Sequence, residues 1–204
     1  MWAGVRGLET LDTLPVTASR EYGLDRGKVF PAANAKSLLN PLRRLVQSPR
    51  RTVASIGLNE HSHVLELGCG PGFFSPYLAR SVPNGRLVLA DLQAEMLVLA
   101  RDRVTEGARP VFVQADGSVL PIADGSLDAV FIATVLGEIP DKTACLTDVR
   151  RILRTGGTLA IAETRRDSDF IAISDLRALV EPCGFEFTAQ RGIRWQYVAR
   201  FECT

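Results

Sequence analysis

The chain has 204 residues, 46% hydrophobic and 23% charged, with a formal net charge of +1. That length buries a core without metal or disulfide staples, and that balance is typical of a globular domain rather than a disordered or membrane-embedded chain. With so little net charge there is no overall field to attract nucleic acid or an anionic bilayer, so neither is expected as a partner unless a local patch supplies one.

The opening residues lack the apolar stretch of an export signal, and no run approaches the ~18 apolar residues of a membrane helix. Cys69, Cys145, Cys183 and Cys203 form no CxxC pair, which argues against zinc or a disulfide framework and for a reducing cytoplasm. Residues 1–57 carry no strand signal. They read as a basic helical segment separate from the domain at 58–204. In it Asn40 and Ser48 stand as N-caps before Pro41 and Pro49. Arg43, Arg44, Arg50 and Arg51 read as a solvated helix face.

From residue 63 the pattern changes. "HVLEL", "RLVLAD", "PVFVQAD", "LDAVFIAT" and "GTLAIAET" are short apolar runs bounded by turn residues, which predicts five strands. Between them, "FFSPYLARSV", "QAEMLVLARDRV" and "DKTACLTDVRRIL" carry apolar residues at helical spacing. The "TGG" after the last of these is expected to stop that helix as a C-cap. Continuously apolar strands joined by helices imply a parallel sheet covered on both faces, a doubly wound, Rossmann-like α/β fold. The tail predicts one more helix and two strands, "GFEFTAQ" and "RWQYVARFEC", joined too closely for anything but an antiparallel hairpin. The result is a seven-stranded, mostly parallel sheet.

In such a sheet ligands bind beyond the carboxyl ends of the strands. The first strand ends there in "LELGCGPG", whose Gly68, Gly70 and Gly72 permit backbone conformations and close approaches denied to other residues. Asp91 closes the second strand, where a carboxylate can accept both hydroxyls of a ribose, and Asp116 closes the third, in reach of a base edge. A dinucleotide site needs GxGxxG. Phe73 stands where the last glycine belongs, and neither a YxxxK pair nor a GxxxxGK[ST] loop occurs, which weakens NAD(P)-dependent oxidoreduction and nucleotide hydrolysis.

"LELGCGPG", "ADLQAEML", "QADGSVLPIADGSLDAVFIATVLGEIPD" and "VRRILRTGGTLAIAE" together resemble the motifs of the class I methyltransferases that use S-adenosylmethionine, over roughly residues 60–203. The resemblance implies that Glu66 and the Gly68–Cys69–Gly70–Gly72 loop hold the amino-acid part of that cofactor. It further implies that Asp91 grips the ribose, that Leu92 packs on the adenine, that Asp116 and Gly117 meet its amino group, and that Thr134 adds to the site. The last strand is implied to insert between its neighbours.

Methyl transfer from a sulfonium is an in-line displacement that needs alignment and shielding rather than a fixed triad. If the acceptor must lose a proton, Glu138 in "ATVLGEIPD" is the candidate base. Many relatives have a histidine near this position. Here His61 and His63 precede the first strand, at the wrong end of the sheet. Asp141 is expected to cap the next helix, and Cys69 to be a packing residue rather than a nucleophile. By resemblance, the N-terminal segment covers the acceptor, with Tyr22 and Lys28 lining its pocket. No long insertion follows the fifth strand, so the expected partner is a small-molecule acceptor. The acceptor atom is left open, as is the choice between monomer and homodimer. The non-enzyme alternative is a methyltransferase-like scaffold, whose mark would be damage to the glycines or to Asp91. Neither is damaged.

Overall fold

A computed structural model of the chain describes residue 31, residues 34–39 and residues 47–204. The predicted helix start at Asn40 and the residues Tyr22, Lys28, Arg43 and Arg44 lie outside the described residues. A single helical turn α1 (Ala35–Leu38) and α2 (Pro49–Ala54) precede the sheet. The Ser48 side chain accepts from the Arg51 N–H at the start of α2, as its N-cap position predicts, and Arg50 and Arg51 are exposed.

The sheet elements follow in the expected alternation: β1 (His63–Leu67), α3 (Ser75–Ser81), β2 (Arg86–Asp91), α4 (Ala94–Arg101), β3 (Pro110–Gln114), β4 (Leu127–Ala133), α5 (Lys142–Ile152) and β5 (Leu153–Thr164). Then come α6 (Ile173–Val180), a 3-10 turn (Glu181–Cys183), β6 (Phe185–Ile193) and β7 (Gln196–Cys203). The order across the sheet is β3-β2-β1-β4-β5-β7-β6. All pairs are parallel except β5 with β7 and β7 with β6, so the last strand inserts between β5 and β6 as expected.

Period-2 alternation divides the apolar side chains between two layers. Leu65, Val88, Val130 and Ile161 meet Leu146 and Val149 of α5 and Leu176 of α6 on one face. On the other, Val64, Leu89 and Phe131 meet Val53 of α2, Leu78 of α3 and Leu97 of α4. Each such fully buried side chain contributes roughly 1.5–3 kcal/mol. This two-sided cover fixes strand register, and register decides which residues reach the sheet's carboxyl edge.

One expectation fails. The "TGG" does not cap α5, because the helix already ends at Ile152 and Leu153 is extended (φ −74°, ψ 139°). Instead Leu127 pairs with Leu153 and Ala129 with Thr158, and the chain between them bulges through Gly156 at φ +75°. The glycines serve a strand irregularity, a use that sequence spacing does not separate from a helix stop.

Candidate active site

The first crossing point of the topology lies where β1 sits between β2 and β4, and a cleft opens over the carboxyl ends of these strands, with about 1050 Å³ of empty space including its mouth. Its floor is the loop from Gly68 to Ser75. The N–H groups of Gly68 and Cys69 both donate to the Ala90 carbonyl (2.8 and 3.0 Å), which ties the loop to the end of β2.

The three glycines have different jobs. A Cβ at Gly68 (φ +72°) would run into the Val135 side chain, and one at Gly72 (φ +80°) would lie 2.9 Å from the Ala100 Cα of α4. Those two positions are empty because other protein fills them. At Gly70 (φ +53°) the nearest atom among the described residues is Leu38 Cδ1 at 4.0 Å, so a Cβ there would meet none of them closely. Gly68, Cys69 and Gly70 border the cleft, and Gly72 does not. Gly72 supports the loop from behind, where its carbonyl accepts from Arg103 Nε at 3.0 Å.

Asp91 is 8% exposed at the cleft wall and spans two loops: one oxygen accepts from the Gly70 N–H (2.8 Å), the other from the Gln93 N–H (2.9 Å). Burial raises its pKa, opposed by those backbone bonds. Glu66, two residues before Gly68, is 2% exposed and accepts from Ser75 Oγ at 2.5 Å. Burial pushes its carboxyl up to about 8, the Ser75 bond pulls it down, and the nearby Asp91 adds to the rise. Burial likewise holds the Cys69 thiol far above its ordinary range, which fits packing rather than nucleophilic chemistry.

On the far wall, Asp116 Oδ1 accepts from the N–H and Oγ of Ser118 (both 2.9 Å), beside Gly117 at φ +82°. Arg151 anchors the chain just beyond. Its guanidinium donates to the carbonyls of Leu120 and Ile122 and pairs with Asp148 and Asp124. Thr134, at the end of β4, is the one non-glycine with positive φ (+54°) among the described residues, and its Oγ1 donates to the Ala133 carbonyl at 2.7 Å. Backbone strain of this kind concentrates at functional sites. Leu92 lines the cleft, and its carbonyl accepts from Gln114 Nε2. Glu138 also lines it, from the loop after β4, while Asp141 caps α5 by accepting from the Ala144 N–H. His61 and His63 lie at the opposite end of β1.

Sequence reasoning missed several lining residues. Phe73, Phe74, Met96 and Ile139 give the cleft apolar walls, Leu38 reaches it from the N-terminal segment, and Asp167 reaches it from the loop after β5. Phe73, which occupies the place of a dinucleotide-loop glycine, stacks edge-on with Phe74 at 4.9 Å between centroids. Ser75 was legible only as part of a helix, although it holds Glu66.

The cleft's acidic side chains are Glu66, Asp91, Asp116, Glu138 and Asp167, and among the described residues no lysine, arginine or histidine lines it. An all-carboxyl cleft favours a cation and repels a pyrophosphate. That is the arrangement expected for a sulfonium donor and opposite to that for a nicotinamide dinucleotide.

Comparison with known proteins agrees. The family model of a methyltransferase domain matches residues 64–157. The ubiquinone/menaquinone biosynthesis C-methyltransferase UbiE of Hahella chejuensis is 35% identical over 160 residues, covering 74% of this chain and 62% of that protein. The demethylmenaquinone methyltransferase of Lactiplantibacillus plantarum is 35% identical over 119 residues, 56% of this chain and 50% of that protein. The chain thus spans between half and two thirds of the length of these relatives. A SAM-dependent methyltransferase from Aquifex aeolicus superposes with a TM-score of 0.79 at 21% identity, over 86% of this chain and all of that one. The matched model, carried on this fold, identifies a class I S-adenosylmethionine-dependent methyltransferase domain in this chain.

Proposed function

We propose that the chain methylates a small, largely apolar acceptor, at a ring carbon activated by a neighbouring hydroxyl. The observation that carries this reading is the cleft, lined by five carboxyl groups and, among the described residues, no cationic side chain, together with the apolar Phe73, Phe74, Met96 and Ile139. The names of the two quinone-pathway relatives support a ring-carbon acceptor.

The residues present fit the donor. Bare backbone at Gly70 leaves room for its amino-acid end, and Glu66, buried and held by Ser75 Oγ, would gain a counter-charge from the donor's positive charge. Asp91 retains lone pairs for the ribose hydroxyls after serving two N–H groups. Leu92, Asp116, Gly117 and Thr134 line the same cleft, where Leu92 would pack on the adenine, Asp116 and Gly117 would meet its amino group and Thr134 would add to the site. The bound donor supplies an electrophilic methyl: the acceptor's electron pair forms the new bond while the carbon–sulfur pair returns to sulfur. Everything else falls to the protein. The apolar walls would exclude water and hold the acceptor in line, and Glu138 would take the proton the acceptor must lose; Leu38, from the N-terminal segment, also lines the cleft.

The test is incubation with methyl-labelled S-adenosylmethionine and a panel of hydroquinones, phenols, amines and thiols, with products read by mass spectrometry. Methylation at a ring carbon of the hydroquinones supports the reading. Transfer confined to amines or thiols, or no transfer by a protein that binds the donor, overturns it.

A further inference from the structure

The β6–β7 hairpin ends at the same sheet edge as the cleft, because β7 runs antiparallel to β5 and Gln196 pairs with Thr164 at the carboxyl end of β5. Ile193 pairs with Gln196, so the turn is just Arg194 and Trp195. Short hairpin turns favour glycine, asparagine or aspartate, and nothing in this turn requires two large side chains. Both apolar residues of the tip stand in solvent, Trp195 55% and Ile193 53% exposed; among the described residues the other exposed large apolar side chains are Val98, Leu99 and Val119, none of them on this hairpin.

Arginines surround them. Arg191 and Arg194 flank the tip in sequence, and the N–H of Arg165 donates to the Trp195 carbonyl at 2.8 Å, which brings Arg165 and Arg166 alongside. All four are exposed, and none forms an ion pair among the described residues. The nearby acids are Asp167 and Asp169, both half-buried. Asp167 holds the Asp169 N–H and Asp169 holds Ser168 Oγ, so these carboxylates are occupied within their own loop. Asp167, next in sequence to Arg166, also lines the cleft, so the loop that meets the hairpin tip also reaches the rim of the site.

We infer that this tip docks the protein on an anionic lipid surface, with the four arginines at the headgroups and Trp195 and Ile193 inserted at the interface. A tryptophan and an aliphatic residue among unpaired arginines, on a chain of net charge only +1, is the composition of an interfacial anchor. A nucleic-acid platform would have aromatic faces for stacking rather than an exposed isoleucine beside a single tryptophan. Docked this way, the rim of the cleft lies next to the bilayer. The inference stands apart from the acceptor's identity, because it concerns binding alone.

The test uses the whole chain with vesicles of phosphatidylcholine alone and of phosphatidylcholine mixed with phosphatidylglycerol, followed by flotation. Trp2 and Trp195 are the two tryptophans, so Trp2→Phe leaves Trp195 emission as a reporter. The expected result is retention on the phosphatidylglycerol vesicles, weakened by salt, with a blue shift of Trp195 emission. Arg191→Ala with Arg194→Ala should reduce binding roughly 30-fold, and Ile193→Ser should reduce it at unchanged melting temperature. Three outcomes overturn the inference: no retention on the anionic vesicles, retention indifferent to these substitutions, or tighter binding of single-stranded RNA than of vesicles at the same salt.

Discussion

Replacing Glu66 with Gln changes one proton and almost no volume. The Gln carbonyl can still accept from Ser75 Oγ, so the loop stays in place. What is lost is a buried carboxyl whose pKa lies near 8 in the fold against 4.5 when exposed. Between those values the unfolded chain has released the proton and the folded chain still holds it. Stability without ligand therefore falls as pH rises through this window, by up to ~1.4 kcal/mol per pH unit per carboxyl. Glu163, buried at the end of β5 and also pushed up to about 8 by burial, contributes in the same sense. From pH 5 to pH 7 wild type should lose on the order of 4–5 kcal/mol, and Glu66→Gln about half of that. Chemical denaturation across pH measures the slopes. A cationic donor reverses the balance at Glu66 by favouring the carboxylate, so binding at pH 7 should release a proton, visible as a buffer-dependent heat in calorimetry. Glu66→Gln should bind more weakly and release none. An unchanged pH slope in the variant, or proton release that persists, would refute the assignment of Glu66 to the cation.

Other substitutions separate structural from binding roles. Gly70→Ala, placed where no atom of the described residues is nearer than 4.0 Å, should lower donor affinity more than melting temperature. Gly72→Ala, facing the Ala100 Cα at 2.9 Å, should do the reverse, by thermal melting and titration of both proteins. Asp91→Ala removes the acceptor for two backbone N–H groups as well as the ribose contact, and affinity should fall by about 10- to 150-fold, at ~1.5–3 kcal/mol for charge-assisted bonds. Glu138→Gln should leave donor affinity intact and reduce turnover by roughly 10²- to 10⁴-fold, the usual range for a lost general base. Equal loss of binding and turnover would assign Glu138 to the cofactor instead.

The strands and their mostly parallel pairing were legible because each apolar run is bounded by turn residues and joined to the next by a helical pattern, while the insertion of β7 between β5 and β6 came from the family resemblance. Asp116, expected to close the third strand, lies two residues beyond its end at Gln114, whereas Asp91 was legible as a strand end. The separate roles of the glycines were not, since they depend on Val135 and Ala100, which approach the loop only through the packing of other elements. The same holds for Gly156, whose left-handed backbone serves a bulge against β4 rather than a helix stop. The uniform acidity of the cleft was also hidden, because Asp167 arrives from a loop about a hundred residues away from Glu66. Burial of Glu66 depended on Ser75, which a helix pattern alone does not mark as a partner.

The most direct measurement is a calorimetric titration of the protein with S-adenosylmethionine, S-adenosylhomocysteine and NADH under identical conditions. The carboxyl-lined cleft predicts binding of the first two, stronger for the cationic donor than for its neutral thioether product, and none of the doubly anionic dinucleotide. Binding of NADH, or a donor that binds no better than its product, would contradict it.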